Sequence, residues 1–197
     1  MTVSAGRVSV ARIAGVGCVV LLLASCGAPP LTVYTLAAPA TAADAAPAGR
    51  TKLVIAVARV SIPDALDTED IVVRDDGSVL RRSRSGRWAS RLSLGITDRL
   101  TQLLAERRPD ALVTDRPLSD AAISRVLVNI ERLDVTAAGV ATLDADWLVV
   151  RRDAGAPTLP VRGHFSATGP VGTDQDVVTL VGHLVDRLAA AISIGRG

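Results

Sequence analysis

The sequence predicts a single α/β domain in which a mixed, mostly antiparallel β-sheet packs against two main amphipathic helices. Two observations support this prediction. Short runs that alternate apolar and polar residues recur between residues 53 and 167, as they do in half-buried strands. Two longer segments, residues 90–108 and 173–192, place apolar residues at helical spacing instead.

The N-terminal segment is typical of a secreted lipoprotein. Residues 13–24 form an uncharged apolar run behind Arg7 and Arg12. The run is too short to span a bilayer as a finished helix, so we interpret it as a signal peptide. It ends in the order Leu-Ala-Ser-Cys, which predicts cleavage directly before Cys26 and acylation of that residue. Cys18 lies inside the run and is interpreted as part of the signal peptide.

The chain is therefore expected to contain a signal peptide at 1–25, a lipidated N-terminus and flexible tether at 26–50, and a domain at 51–197. The tether is rich in Ala, Pro, Thr and Gly and lacks apolar periodicity. Inside it, the apolar residues 33–36 either dock on the domain as an extended segment or stay free. Two or three acyl chains, at about 0.8 kcal/mol for each buried methylene, would hold the protein on a membrane without a spanning helix.

The charge balance argues against a nucleic-acid partner. Removal of the signal peptide leaves 20 basic and 20 acidic side chains, whereas nucleic-acid binding normally requires a basic excess. With Cys26 acylated, the mature chain has no cysteine pair for a disulfide. We therefore expect packing alone to stabilise the fold.

Seven segments predict the strands. Residues 53–60 are apolar on both alternating faces, which favours a central strand that is covered on both sides. The Asp-Gly turn at 75–78 predicts a hairpin between short strands. Residues 124–135 and 140–152 alternate and predict a long antiparallel hairpin. A third strand at 159–167 carries an early proline, which favours a strand start or a sheet edge. A brief strand is also expected at residues 111–114.

End signals delimit both helices. The first ends with Arg107 and Arg108 and is followed by Pro109. Basic residues suit the negative end of the helix dipole, and proline stops a helix. The second is preceded by Thr173, with Asp176 three residues later. That spacing predicts a capping box.

An arginine-rich stretch separates the hairpin from the first helix. It contains Arg84, Arg87 and Arg91, with Trp88 among them. Guanidinium groups grip phosphate and carboxylate at two points, and aromatic residues anchor interfaces. The stretch therefore predicts a docking face for a partner or for anionic head groups. The alternative is a solvated loop in which Trp88 packs under the helix.

Catalytic groups are few, and we expect no enzymatic activity, cofactor or metal. His164 and His183 are the only histidines, and no cysteine is left to complete a metal set. Asp144 and Asp146 share one strand face as an Asp-x-Asp motif would, but polar alternation explains them equally. The sequence contains neither a nucleophile elbow nor a phosphate-binding glycine loop.

Several short motifs follow one another over nearly the whole mature chain. They are the lipobox ending at Cys26, Tyr34-Thr35-Leu36, the segment from Ile55 to Pro63, Ile71 to Arg74, Arg87-Trp88-Ala89, Leu103-Leu104-Ala105, Trp147 to Arg151, and Phe165-Ser166. In order and spacing they resemble the PqiC/YmbA family of ABC-transport auxiliary lipoproteins. This chain departs from the family between Trp88 and Leu92, where members often have an acidic residue and a proline.

The resemblance implies a periplasm-facing lipoprotein that works without catalysis beside an MCE-domain protein and a membrane permease. Such systems move phospholipid or other hydrophobic molecules between the inner and outer membranes and support envelope integrity. Because Gly27 rather than aspartate follows Cys26, the usual signal for inner-membrane retention is missing, and the outer membrane is expected. The alternative is a carrier that itself holds a hydrophobic ligand. The transported molecule, its direction and a homo-oligomeric state stay open.

Overall fold

The structure is a computed structural model. It describes residues 30–36, 53–116, 122–152 and 159–194. The predicted signal peptide, Cys26 and most of the predicted tether lie outside the described residues. The chain divides into two compact units, and the fold below is that of the second unit, Leu31–Gly197.

The described residues form eight strands and two helices. In chain order they are β1 (Thr32–Tyr34), β2 (Val54–Val57), β3 (Asp70–Arg74), β4 (Leu80–Trp88), α1 (Leu92–Arg107), β5 (Leu112–Thr114), β6 (Ser124–Val135), β7 (Val140–Arg151), β8 (Val161–Thr168) and α2 (Asp174–Ala191).

The strands divide between two mixed sheets. One has the order β1-β4-β3 and the other the order β5-β2-β6-β7-β8. Strands β1 and β4 are parallel, as are β2 and both of its neighbours, while the remaining pairs are antiparallel. The predicted α/β class with mixed sheets and two helices is confirmed. The predicted single sheet is two sheets instead, because the β3–β4 hairpin forms its ladder with β1. The hairpin contacts the larger sheet through the isolated bridge between Arg74 and Thr136.

The apolar island before the domain docks on it. Residues 32–34 form β1, and Leu36 is 9% exposed. The amide of Ala89 donates to the carbonyl of Tyr34 at 2.7 Å. Of the two alternatives for this island, docking as an extended segment is therefore the one observed.

Strand β2 is buried on both faces, as its continuous apolar pattern predicts. Ile55, Ala56 and Val57 are each no more than 3% exposed. The strand has parallel neighbours on both sides, which satisfies its backbone while its side chains stay away from water. The predicted β6–β7 hairpin is confirmed, and β8 is a sheet edge that starts directly after Pro160.

The two helices begin in different ways. At α2 the predicted capping box is present: Thr173 accepts from the Asp176 amide, and Asp176 accepts from the Thr173 amide. At α1 the N-cap residue Arg91 makes no side-chain cap bond. Neither described helix is long and apolar enough to cross a membrane.

A distant carboxylate caps α1 instead. Asp67 accepts a hydrogen bond from the amide of Ser93 at 3.1 Å. Arg59, which follows β2, donates to Asp67 at 3.1 Å and to the Ser93 hydroxyl at 2.8 Å. Burial alone would raise the pKa of Asp67, but the hydrogen bonds from Ser93 and the charges of Arg59 and Arg91 outweigh it, so this pKa lies below its usual value.

We expect Asp67→Ala to lower the free energy of unfolding by about 1–2 kcal/mol at neutral pH, because a helix loses its cap. The carboxyl pKa is lower in the folded chain, so this stabilisation is complete above the unfolded pKa of about 4 and is lost as the pH falls through the folded value. Urea unfolding at several pH values measures both effects. Asp64→Ala changes an exposed carboxylate of the same turn and is the matched control. An equal loss in the two variants would contradict the capping role.

Candidate partner-binding surface

All four predicted contact residues lie on β4 or directly after it. Arg84, Arg87 and Trp88 belong to the strand, and Arg91 is the N-cap residue of α1. The solvated-loop alternative is therefore wrong for residues 84–88, which form regular strand pairs with β1 or lie in the bulge described next. The sequence pattern does not reveal this part of β4 as a strand, because it is rich in arginine and serine and lacks the alternating apolar residues that usually mark a strand.

A wide bulge shapes β4. Asp70 pairs with Arg87 whereas Val72 pairs with Arg82, so β4 carries three extra residues opposite this step of β3. Inside the bulge the Ser83 hydroxyl accepts from the amides of Ser85 and Gly86, at 3.1 and 3.0 Å. These bonds satisfy backbone donors that the sheet ladder leaves unpaired.

The bulge rests on the first turn of α2. The Ser85 hydroxyl donates to Asp174 at 2.8 Å. Gly86 sits so close to this carboxylate that an added Cβ would lie 2.5 Å from its Oδ2 atom and 2.9 Å from the Tyr34 ring. A larger residue at position 86 would force the Asp174 carboxylate and the Tyr34 ring to shift.

An open groove of about 850 Å³ lies between the bulge and the start of α2. Its floor consists of Ile71, Val73 and Val177, which are at most 6% exposed. Arg81 and Arg84 stand at its rim, where both are exposed. The groove therefore offers a basic rim over a floor whose apolar side chains are already covered.

Trp88 is a core residue. It is only 5% exposed and belongs to the main hydrophobic cluster. Its amide donates to the carbonyl of Glu69 at 2.8 Å, which ties the end of β4 to the start of β3. Packing under the helix, the alternative stated from the sequence, describes its position. Any effect of Trp88 on a partner must therefore act through the arginines that it positions.

The arginines around it are exposed and differ in how they are held. The Arg87 side chain is 47% exposed and donates to Asp70 at 2.9 Å. The Arg91 side chain is 63% exposed and lies 3.7 Å from Asp67. Among the described residues, no carboxylate lies within ion-pair distance of Arg84. Since exposed ion pairs contribute only about 0–1 kcal/mol, these guanidinium groups can exchange their carboxylates for those of a partner.

The polar face of the larger sheet is an ion-pair ladder. Asp144 contacts His164 and lies 2.8 Å from Arg132, and Asp146 lies 2.7 Å from Arg162. The His164 hydrogen bond lowers the pKa of Asp144, and the Arg162 hydrogen bond lowers that of Asp146. Both carboxylates are already paired, as polar alternation predicts.

The structure brings no histidine pair or metal set together in the part of the chain that it describes. His164 lies on the edge strand β8, and His183 is exposed on α2. The described residues contain no group of three His, Cys, Asp or Glu side chains that could hold a metal ion.

We expect Trp88→Ala to destabilise the domain by about 3–5 kcal/mol, because it removes a large buried side chain. Trp88→Phe keeps most of the packing and should cost less. Arg87→Ala, next to it in the sequence, removes only an exposed ion pair and should cost no more than about 1 kcal/mol. Urea unfolding of the three variants measures these differences. A loss for Trp88→Ala as small as that for Arg87→Ala would show that Trp88 is not a core residue.

Comparisons with known proteins agree with this fold. The chain is similar to a crystal structure described only as that of an uncharacterised protein, with a TM-score of 0.65 and 16% identity over 82% of this chain and 95% of the other. It is also similar to a Xanthomonas campestris protein of the DUF330 family, with a TM-score of 0.57 and 14% identity over 82% and 89% of the two chains. No curated protein matches the sequence.

The family assignment comes from the sequence itself. One family model matches residues 34–193, which is the chain from the last residue of β1 to just past the end of α2. This match covers both sheets, both helices and the arginine-rich strand between them. The domain belongs to the family of ABC-type transport auxiliary lipoprotein components.

Proposed function

We propose that this chain is a non-catalytic docking subunit of an MCE/ABC-type system that moves phospholipid between the two membranes and supports envelope integrity. The observation that carries the proposal is the family match over residues 34–193. This family consists of auxiliary components of transport rather than enzymes. An MCE-domain protein and a permease are the proposed partners, and a homo-oligomer is compatible with this role.

The shape of the groove supports docking over the carrier alternative. A site for an acyl chain is normally enclosed and lined mostly by apolar side chains. Here the floor residues Ile71, Val73 and Val177 are already buried by the fold, and the rest of the lining is mostly polar, with three arginines against the single carboxylate of Asp174. Such a groove suits an acidic segment of a protein partner, because Arg81 and Arg84 would bind the carboxylates of that segment.

The proposed location is the periplasmic face of the outer membrane. Membership of a lipoprotein family supports an envelope location, and the lipobox places the acyl chains on Cys26. Gly27 supports transfer to the outer membrane, since it stands where an aspartate would favour retention at the inner one.

We expect Cys26→Ser to abolish incorporation of radiolabelled palmitate and to move the protein out of the membrane fraction. Without the acylated thiol, no apolar chain is left to hold the protein on the bilayer. Cys18→Ser is the matched control, because it removes the other cysteine of the chain and should change neither result. Palmitate incorporation into the Cys26→Ser variant, or its normal fractionation and activity, would refute the proposed anchor.

We expect Arg84→Glu to weaken capture of the MCE-domain protein by about tenfold, because it places a like charge against an acidic partner segment. Affinity purification of the full-length lipoprotein in mild detergent measures the change. Arg125→Glu, an equal charge reversal on an exposed residue of β6, should capture the partner normally. If both variants behave alike, the groove is not the contact surface.

A further inference from the structure

The outer face of the small sheet carries exposed apolar residues. Leu31 is 51% exposed and Val33 is 60% exposed. At the β3–β4 turn, Val79 is 58% exposed and Leu80 is 43% exposed. Single exposed aliphatic residues are normal on a soluble protein. Leu31 and Val33, two residues apart at the edge strand β1, expose apolar surface side by side on one face, which calls for a partner.

Two arginines share this face with them. Val33 of β1 is in register with Arg87, and Asp70 of β3 pairs with the same residue. Arg82 and Arg87 both contact Asp70, at 3.2 and 2.9 Å, which places both guanidinium groups on the face of Val33. Their side chains are 71% and 47% exposed.

The two arginines leave this face positive. Together they carry two positive charges against the single negative charge of Asp70. Each guanidinium has five N–H donors, more than one shared carboxylate can accept. The remaining donors suit phosphate groups, which guanidinium binds at two points.

Strand β1 follows Cys26 closely in the sequence. Five residues separate Cys26 from Thr32, the first residue of β1. A chain of this length spans at most about 20 Å when it is fully extended. The whole predicted tether of residues 26–50 would allow a much longer distance between Cys26 and the domain. Because β1 lies inside that segment, five residues separate Cys26 from the sheet.

The direction of β1 also agrees with this arrangement. Because β1 and β4 are parallel and Thr32 is in register with Gly86, the start of β1 and the start of β4 lie toward the same end of the sheet. The chain therefore enters the domain from the end where Leu80 and the β3–β4 turn lie. The exposed side chains of Leu31, Val33, Arg82 and Arg87 therefore lie on the part of the domain that follows Cys26 most closely in the sequence.

We propose that the outer face of β1 and β4 rests on the phospholipid leaflet that holds the acylated Cys26. Arg82 and Arg87 bind lipid phosphates, and Leu31 and Val33 enter the interfacial layer. The contact fixes the orientation of the domain on the membrane. This inference rests on the acylation of Cys26 in the proposed function.

A thiol probe tests the orientation. In the mature, acylated chain, Val33→Cys carries one free thiol, which is labelled with an environment-sensitive fluorophore. The purified lipoprotein is reconstituted in vesicles that contain spin-labelled lipid. We expect quenching at position 33 to exceed that at the control Leu159→Cys by at least about twofold, as for a residue inside the interface.

The control position is exposed and apolar, and it lies outside the small sheet. Leu159 is 78% exposed and directly precedes β8, the edge strand of the larger sheet. Equal quenching at both positions would overturn the proposal.

The arginines are tested by vesicle binding of the unacylated, full-length mature chain with Cys26→Ser. We expect Arg82→Gln with Arg87→Gln to weaken binding to phosphatidylglycerol vesicles at least about fivefold, since each arginine near an anionic surface contributes on the order of 1 kcal/mol. The control pair is Arg125→Gln with Arg151→Gln, which changes two exposed arginines of the larger sheet. Loss of capture of the MCE-domain protein with unchanged vesicle binding would assign this face to a protein partner and overturn the proposal.

Failure of the proposed function gives a different result. If Cys26 is not acylated, the wild-type chain itself takes up the thiol reagent and incorporates no palmitate. If Cys26 is acylated but the probe at position 33 stays unquenched, only the membrane contact is refuted.

Discussion

The parallel pairing of β1 with β4 is the constraint on which the arrangement of the surface depends. Three residues that closely follow Cys26 in the sequence become part of a sheet, and the Ala89 amide bonded to the Tyr34 carbonyl extends this connection to the start of α1. A side chain at position 86 would force the Asp174 carboxylate and the Tyr34 ring to move. The pairing thereby joins residues 32–34 to the domain and seats the bulge on α2.

Much of the fold could be predicted from local patterns. The Asp-Gly turn, the β6–β7 hairpin, the proline before β8 and the capping box at Thr173 each depend on neighbouring residues, and each is present. The division into two sheets could not be predicted, because it depends on which distant strands pair. Strand β1 has three residues, too few for alternation to reveal them.

The sequence predicted where the four residues of the candidate site lie, but it did not predict which of their side chains are exposed. Arg84, Arg87, Arg91 and Trp88 lie together around the end of β4, as their closeness in sequence requires. The sequence left open which side Trp88 faces, since one aromatic residue among arginines fits an interface and a helix contact equally. The structure shows it buried because the β1–β4 pairing turns its ring toward the core.

Asp67 supplies the cap that the residues directly before α1 do not. The N-cap residue of α1 is Arg91. An arginine cannot accept a hydrogen bond from the helix amides, so the acceptor comes from Asp67 in an earlier turn. Arg59 beside β2 holds that carboxylate, which gives the matched segment from Ile55 to Pro63 a structural role.

The alternation of a strand allows one short element to serve two partners. Side chains of successive residues on β4 point to opposite faces, so Arg81 pairs with the buried Val73 on the groove side, while the Arg82 guanidinium contacts Asp70 on the other face. On the proposed arrangement, the membrane takes one face and the transport partner takes the groove. A docking subunit needs both contacts at once, because an anchored domain that was free to rotate would present its groove in every direction. A partner that reaches across the periplasm would then meet a correctly oriented groove only part of the time.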